Sequence, residues 1–228
     1  MIRCFRRRRQ VALSVRLFGP APAPCGWPGR GVLPHNEAMS AQLIAPTFAV
    51  HASFLAAMDE FLAEGADSVQ GSSMAHELRT WRGRWATADG FAEYVGTVGG
   101  VMDHERPDGV VPLSTRWWVD GDTYLGRITF RHRLTPSLLT WGGHIGYGVR
   151  PGARRRGHAT AMLRAALPVA HHELGIDPVL VTCDDTNTAS RKVIEACGGI
   201  FEDQRDDKLR YWIPAAVATA GQQPQRHI

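Results

Sequence analysis

The chain has 228 residues, of which 44% are hydrophobic, and a formal net charge of +4. This length and composition allow a substantial hydrophobic core, and because no run of 18 apolar residues is present, we expect neither a membrane span nor a membrane partner. Its four cysteines form neither a metal-binding spacing nor a dense disulfide framework. We therefore predict a soluble, cytoplasmic protein without a bound metal ion.

The positive charge is concentrated at the N-terminus. Residues 1–38 contain seven arginines and one acidic residue, a net charge of +6, whereas residues 39–228 carry a net charge of −2. The N-terminal segment is also rich in proline and glycine, a composition that cannot build a core. We predict that residues 1–38 are a disordered basic leader or a misassigned start with translation beginning at Met39, that residues 39–214 form the domain, and that residues 215–228 are a flexible tail.

The arginine cluster of the leader raises the alternative of a nucleic-acid partner, since arginines neutralise phosphates. No base-reading motif accompanies the cluster, so we expect no nucleic-acid partner.

Helices and a hairpin are predicted in the first half of the domain. Residues 51–64 place apolar side chains at helical spacing, and residues 87–98 predict a second, less regular helix. The Asp120-Gly-Asp122 turn separates two runs rich in aromatic and branched residues, residues 114–119 and 123–132, a pattern typical of a β-hairpin.

A glycine-rich segment from Gly142 to Val149 predicts the next strand. Ile145, Tyr147 and Val149 alternate as its core face, whereas Gly146 and Gly148 leave the other face without side chains. Glycines inside a strand cost stability and often mark the close approach of a ligand or of another backbone. We expect a ligand to approach this strand.

A positively charged turn joins this strand to an amphipathic helix that starts near residue 158, is kinked at Pro168 and ends at Gly175. The amides at a helix N-terminus already carry partial positive charge, so the three arginines at 154–156 are unfavourable there unless an anion binds. Gly157 and Ala159 leave room for a phosphate to reach the amides. A solvated basic surface is the alternative, but it explains neither the glycines nor the position of the turn.

A second segment follows this helix. Residues 179–183 predict a buried strand, and Asn187 and Ser190 lie at the start of a short helix that ends at Gly198-Gly199. Asn187 could cap this helix, contact a ligand, or do both. The order of the elements predicts an α/β sandwich around a mixed sheet.

The pattern Val149-Arg-Pro-x-x-Arg154-x-x-Gly157-x-Ala159 resembles the acetyl-CoA signature of the GNAT superfamily of N-acetyltransferases. The segment around Asn187 resembles the family's second CoA-contacting segment, and the resemblance covers roughly residues 114–213. It implies a GNAT-like α/β fold, in which a mixed, mostly antiparallel twisted sheet with a splayed central strand is flanked by helices. It also implies acetyl-CoA as cosubstrate, a small-molecule or peptide amine as acceptor, and allows a homodimer.

The resemblance assigns three groups of residues to the cosubstrate. The family's loop amides bind the CoA pyrophosphate, its splayed strand pairs with the pantetheine arm, and its second segment also contacts CoA. The corresponding residues are, in that order, Arg154, Arg155, Arg156, Gly157, His158, Ala159 and Thr160; Tyr147, Gly148 and Val149; and Asn187 and Ser190.

The chain departs from the family at one catalytic position. Many members carry a tyrosine seven residues after the asparagine, where its hydroxyl can protonate the departing thiolate, but here this residue is Ile194. Tyr211 and Tyr147 are the nearest substitutes by residue type, and we predict Tyr211 as a catalytic residue. Loss of the usual tyrosine is also compatible with a catalytically silent CoA-binding sensor, which is the alternative function.

An amine acceptor must lose a proton before its nitrogen attacks the thioester directly in a ternary complex. The candidate bases are His144, Asp184, Asp185 and Glu202. We favour His144 because an imidazole titrates near neutral pH. Five acidic residues could favour a cationic amine or could form a solvated acidic surface, namely Asp103, Glu105, Asp108, Glu202 and Asp203.

Overall fold

The computed structural model describes residues 40–65 and 73–215, so the predicted leader and all but the first residue of the predicted tail lie outside the described residues. The helices are α1 (His51–Ala63), α2 (Ser73–Trp81), α3 (Ala88–Gly99), α4 (Pro136–Trp141), α5 (His158–Pro168) and α6 (Thr188–Ala196). The strands are β1 (Gln42–Ile44), β2 (Val101–Arg106), β3 (Gly109–Asp120), β4 (Thr123–Arg131), β5 (Ile145–Val149), β6 (Val179–Asp184), β7 (Ile200–Arg205) and β8 (Lys208–Ile213).

The strands that the structure describes form one mixed sheet. Its order is β1-β3-β4-β5-β6-β8-β7, and β2 pairs with the N-terminal half of β3 while β1 pairs with the C-terminal half. Strands β5 and β6 run parallel, and the other recorded pairs are antiparallel. The predicted fold class, a mostly antiparallel mixed sheet flanked by helices, is confirmed.

The hairpin, the glycine-rich strand and the principal helices form where the sequence patterns predict them. Helices α2 and α4 and strand β2 were not predicted. Strand β2 has the sequence VMDHER, in which charged residues obscure any apolar alternation because it lies at the edge of the sheet. Helix α5 ends at Pro168, and the chain continues as a π-helical turn over Val169–Glu173. A proline has no amide hydrogen to donate, so the regular α-helical hydrogen-bond pattern is interrupted there.

Two hydrophobic cores lie on opposite faces of the sheet. One packs α5 and α6 against the sheet through residues such as Met162, Leu163 and Ile194. The other packs α1, α2 and α3 against the opposite face around Phe54 and Trp117. No helix in the described part of the chain has the length and apolar character needed to cross a membrane.

An aromatic cluster organises the core beneath α1. The fully buried ring of Phe54 lies with its centroid 5.0 to 5.4 Å from the centroids of five other rings, those of Trp85, Phe91, Tyr94, Trp117 and Tyr124. These rings come from α1, α3, the segment before α3, and strands β3 and β4. Phe54 therefore holds several elements of this layer together.

Helix α1 also fixes the turn that follows β5. The carboxylate of Glu60 forms an ion pair with Arg150 and accepts a hydrogen bond from the Gly152 amide at 2.7 Å. Arg150 donates to the Ser53 hydroxyl and to the Tyr124 carbonyl, each at 3.2 Å. Hydrogen bonding from Arg150 lowers the pKa of Glu60 below its ordinary value of 4.5. These contacts of Glu60 and Arg150, which we call the clamp, position the start of the charged turn.

We predict that Phe54→Ala lowers the free energy of unfolding by about 3 to 5 kcal/mol, because it removes a buried ring and leaves a cavity. Phe48→Ala is the matched control, since Phe48 is 47% exposed, and its effect should stay below about 1 kcal/mol. Urea denaturation followed by tryptophan fluorescence measures both changes. Equal effects would contradict the central role of Phe54.

We predict that the clamp makes stability depend on pH. Because the folded-state pKa of Glu60 is depressed, its stabilisation is complete above the ordinary glutamate pKa and is lost as the pH falls through the folded-state value. The difference in free energy of unfolding between the wild type and Glu60→Gln should therefore be largest near neutral pH and shrink below pH 4.5. Asp59→Asn, at an exposed neighbour on α1, is the control and should cost less. A difference that is constant with pH would contradict the clamp.

Candidate functional site

Strand β5 diverges from β6. It pairs with β4 over five residues, but within the described chain its recorded pairing with β6 is limited to Ile145 and Val181. Just before this pair the two backbones pack tightly, since a Cβ on Gly143 would lie 2.4 Å from the Leu180 carbonyl oxygen. Beyond Ile145 the backbone edge of β5 that faces β6 has no recorded strand partner. The divergence creates an opening in the middle of the sheet.

The two faces of β5 differ as the glycine alternation predicts. Ile145 and Val149 are buried against α5 and α6. Gly146 and Gly148 pair with Thr129 and Arg127 of β4 and share the opposite face with them. A Cβ on Gly148 would meet no atom within 4 Å. The face of β5 on the side of α1, α2 and α3 therefore has open space above Gly148.

The charged turn has the backbone geometry of an anion site. Arg155 and Gly157 adopt the left-handed conformation, with φ of 62° and 82°. Gly157 is the N-cap of α5, no side chain caps this helix, and its first turn contains no acidic residue. The first amides of a helix have no intrahelical acceptor, so the amides at 158–160 remain available to an anion.

The structure separates three arginines that the sequence pattern treats alike. The guanidinium of Arg154 donates to the Val149 carbonyl at 3.1 Å, pairs with Glu64 at 2.6 Å and lies over the ring of Phe61. Arg155 and Arg156 are exposed, and within the described chain no ion pair of either is recorded. Arg155 and Arg156 are therefore the arginines of this turn whose charge is available to a ligand.

The side chain of His158 points away from the turn. Its Nδ1 accepts a hydrogen bond from the Trp118 indole at 3.3 Å, and the residue is 9% exposed. Burial lowers its pKa, and the neighbouring Arg156 adds to this effect. His158 can therefore offer its backbone amide to an anion, but its imidazole belongs to the core.

The start of α6 lies across the opening from β5. Asn187 is the N-cap of α6 and its Oδ1 accepts a hydrogen bond from the Ser190 amide at 3.0 Å, so the capping role considered for this residue is confirmed. The Ser190 hydroxyl lies 2.8 Å from the Tyr147 hydroxyl. Burial raises the pKa of Tyr147 above its usual range, so its hydroxyl stays protonated at neutral pH.

Ile194 and Tyr211 belong to the core of the α5 and α6 face. Ile194, at the position of the family's usual tyrosine, is fully buried. Tyr211 is 2% exposed, and its hydroxyl donates to Glu195 at 3.4 Å. Burial raises the pKa of Tyr211. Its low exposure leaves Tyr147 as the tyrosine nearer to the opening.

The predicted base, His144, immediately precedes β5. Its Nδ1 accepts a hydrogen bond from the Leu180 amide at 2.9 Å, so the neutral ring carries its proton on Nε2. Burial, with a smaller effect of Arg131, lowers the pKa of His144 to about 4. Neither ring nitrogen has a free lone pair in this arrangement, and the geometry argues against the base role predicted for His144.

The other candidate bases are held by protein donors. Asp184 pairs with Lys208, and Asp185 accepts a hydrogen bond from Gln204 at 3.2 Å. Glu202 pairs with Arg210, an arginine that is 2% exposed. Within residues 40–65 and 73–215, no group of three His, Cys, Asp or Glu side chains is placed to hold a metal ion.

The charged residues of β4 were not predicted as site residues from the sequence. Arg127, Thr129 and Arg131 alternate on the face that also carries Gly146 and Gly148. Arg127 pairs with Glu77 of α2, whose carboxylate also accepts a hydrogen bond from the Tyr94 hydroxyl at 2.5 Å. The available signal was the alternation of polar residues at 127, 129 and 131 inside an otherwise apolar strand.

Several solved structures of acetyltransferases are similar to this chain. The microcin C7 self-immunity acetyltransferase MccE, solved in complex with acetyl-CoA and AMP, is 11% identical; the match covers 77% of this chain and 92% of that chain with a TM-score of 0.52. A GNAT-family acetyltransferase from Bacillus anthracis is 18% identical over 79% of this chain and 98% of that chain, with a TM-score of 0.46. A chimera of the spermidine N-acetyltransferase SpeG from Vibrio cholerae and hSSAT is 12% identical over 78% and 98%, with a TM-score of 0.49.

At 11% identity the match to MccE shows similarity of fold alone. No curated protein sequence matches the chain. The family follows from the sequence itself, because residues 63–200, more than half of the chain, match the model described as the acetyltransferase (GNAT) domain. The chain therefore belongs to the GNAT acetyltransferase family.

Proposed function

We propose that this protein is an N-acetyltransferase that moves the acetyl group of acetyl-CoA to a primary amine by direct attack in a ternary complex. The observation that carries the proposal is the opening between β5 and β6, which leads directly to the charged turn at the start of α5. An extended thioester cosubstrate with an anionic end requires this combination of an unpaired strand edge and an anion site.

In this proposal the turn and the start of α5 hold the pyrophosphate of CoA. The amides at 158–160 provide the donors, and Arg155 and Arg156 provide the charge. Arg154, which is tied to Glu64, shapes the turn. The unpaired edge of residues 147–149 pairs with the pantetheine arm, and the segment that begins at Asn187 borders it on the other side. The acetyl-CoA bound to the structurally similar MccE supports this choice of cosubstrate.

The packing of the sheet sets the direction from which the amine approaches. The face of α5 and α6 is filled by apolar side chains such as Met162 and Leu163. The opposite face has open space above Gly148. The amine therefore approaches the thioester from the side of α1, α2 and α3, while the cosubstrate lies in the opening of the sheet.

The Tyr147 hydroxyl is the proposed proton donor for the departing thiolate. It lies at the opening, stays protonated at neutral pH and is oriented by the Ser190 hydroxyl 2.8 Å away. In many family members the proton comes from a tyrosine at the helix position that is Ile194 here. In this chain the proton would come instead from Tyr147 of β5. A silent CoA-binding sensor is the second candidate function, and the absence of the usual tyrosine is the observation that favours it.

We predict that replacing Arg155 and Arg156 together by alanine raises the acetyl-CoA dissociation constant at least about tenfold, or about 1.4 kcal/mol, because two phosphate-facing charges are lost. The control removes two exposed arginines from a different part of the chain, Arg82 and Arg84, and should leave the dissociation constant within about twofold. Isothermal titration measures both. Unchanged affinity in the first variant would remove the turn from the site.

We predict that Tyr147→Phe lowers kcat by about a hundredfold at unchanged acetyl-CoA affinity, because the leaving thiolate loses its proton donor. Tyr211→Phe is the matched control and should retain kcat. Thiol release during amine turnover gives both rates. If kcat falls in Tyr211→Phe alone, Tyr211 is the proton donor. Acetyl-CoA binding without thiol release across a broad amine panel would favour the CoA-binding sensor.

A further inference from the structure

Arg131 differs from three other buried or half-buried arginines in having no recorded carboxylate partner within the described chain. Arg127, Arg150 and Arg210 each form an ion pair with glutamate or aspartate. Arg131 is in no ion pair within the described chain, and its NH1 donates to the carbonyls of Gly142 at 3.0 Å and Gly143 at 3.2 Å. Its Nε is buried without a hydrogen-bond partner.

The guanidinium of Arg131 lies on the face from which the amine approaches. Its NH1 and NH2 are each 3.6 Å from the position that a Cβ on Gly146 would occupy. A side chain at Gly146 would therefore meet both Arg131 and Thr129, and the glycine keeps this space free. The open space above Gly148 lies two residues further along the same face.

The surroundings of Arg131 add positive charge. Burial, and after it the charge of Arg106, lowers the pKa of Arg131 to about 10, so the side chain is still a cation at neutral pH. Arg106 also has no ion pair in the described chain, and it donates to the Ser137 hydroxyl from Nε at 3.2 Å and from NH2 at 3.1 Å. His144 is neutral at this pH. A half-buried cation without a counter-charge favours an anionic ligand.

The acidic residues that could have selected a cationic amine are engaged elsewhere or face away. Glu202 and Asp203 pair with Arg210. Asp108 accepts a hydrogen bond from the Ser137 amide at the start of α4, at 2.7 Å. Met102 pairs with Leu113, which in turn pairs with Arg131, so Met102 lies on the same face of the sheet as Arg131. Asp103 and Glu105 are exposed, and because successive side chains of a strand alternate between faces, they point to the other face of the sheet.

We propose that the acceptor is an amine that also carries a carboxylate, such as a small amino acid, and that Arg131 binds this carboxylate while the amine faces the thioester. This inference rests on the proposed function and specifies its substrate class. NH1 already donates to two carbonyls, so the edge formed by Nε and NH2 is the one for which no hydrogen bond is recorded in the described chain. Such an edge can hold a carboxylate through two parallel hydrogen bonds, which would fix the orientation of the acceptor. Arg106 contributes charge to the same region and strengthens the preference for an anion.

The test compares matched acceptors that differ in the carboxylate alone. Glycine, β-alanine and 4-aminobutyrate are each compared with the corresponding amide, with spermidine as the cationic amine and glycylglycine as the peptide acceptor. Thiol release from acetyl-CoA gives kcat/KM for each compound. For the best chain length, the acid should exceed its amide by at least about tenfold, and spermidine should be poorer than either. Glycylglycine distinguishes a free amino acid from a peptide C-terminus as the source of the carboxylate.

Three variants separate recognition from folding. Arg131→Gln should reduce the ratio of acid to amide to below about threefold, while its acetyl-CoA dissociation constant stays within about twofold of the wild type. Arg131→Lys, which keeps the charge but loses the two-pronged geometry, should give an intermediate ratio and preserves a folded protein for comparison if the glutamine variant does not fold. Arg133→Gln, at an exposed neighbour, should keep the full ratio.

The outcomes distinguish the two proposals. Efficient turnover of spermidine or of the amides, with no preference for a carboxylate, overturns the inference and leaves the acetyltransferase standing. A carboxylate preference that survives in both Arg131 variants also overturns the inference. Failure of the protein to bind acetyl-CoA overturns the proposed function itself, and acetyl-CoA binding without turnover of any compound favours the sensor and overturns both proposals.

Discussion

The divergence of β5 from β6 is the constraint on which the arrangement of the candidate site depends. A single recorded residue pair, Ile145 with Val181, joins these parallel strands, whereas five pairs join β5 to β4. Close packing at Gly143 brings the strands together at one end, and the clamp of Glu60 on Arg150 holds the other end of β5 toward α1. The opening is therefore held by contacts at both ends of β5. Its cost is that the backbone N–H and C=O groups of β5 beyond Ile145 that face β6 have no recorded strand partner in the described chain.

The molecule uses its buried charges in two ways. The pair of Arg127 with Glu77 joins the sheet to α2. Arg210 pairs with Glu202 and Asp203 of the neighbouring strand β7, and it also donates to the Leu139 carbonyl of α4 at 2.6 Å. The half-buried Arg131 instead donates to the carbonyls of Gly142 and Gly143, just after α4, and no carboxylate partner is recorded for it among the residues that the structure describes. A buried charge left without a counter-ion costs stability, so its retention beside an open face points to a ligand that supplies the missing charge.

Membership of the GNAT family does not define the acceptor, since one fold hosts many substrates. The proposed acceptor position, beside Arg131 of β4 on the side of α1, α2 and α3, lies outside the acetyl-CoA signature. The chain keeps the signature turn but has Ile194 in the core at the usual tyrosine position. Tyr147 and Ser190 offer an alternative pair of hydroxyls because the opening brings β5 and the start of α6 within hydrogen-bonding distance.

The sequence by itself determined the order of the central elements, the hairpin at Asp120-Gly-Asp122, the glycine face of β5 and the acetyl-CoA signature, because these depend on local periodicity and turn chemistry. Only the tertiary structure decided which arginines of the turn are available, since Arg154 is taken by Glu64, a residue 90 positions away. It likewise decided that His144 is hydrogen-bonded to Leu180 and that Tyr211 is hydrogen-bonded to Glu195. The missing counter-charge of Arg131, within the described part of the chain, is also visible only in the folded structure. Partners that are distant in the chain meet only when the sheet and helices pack, and no local pattern records them.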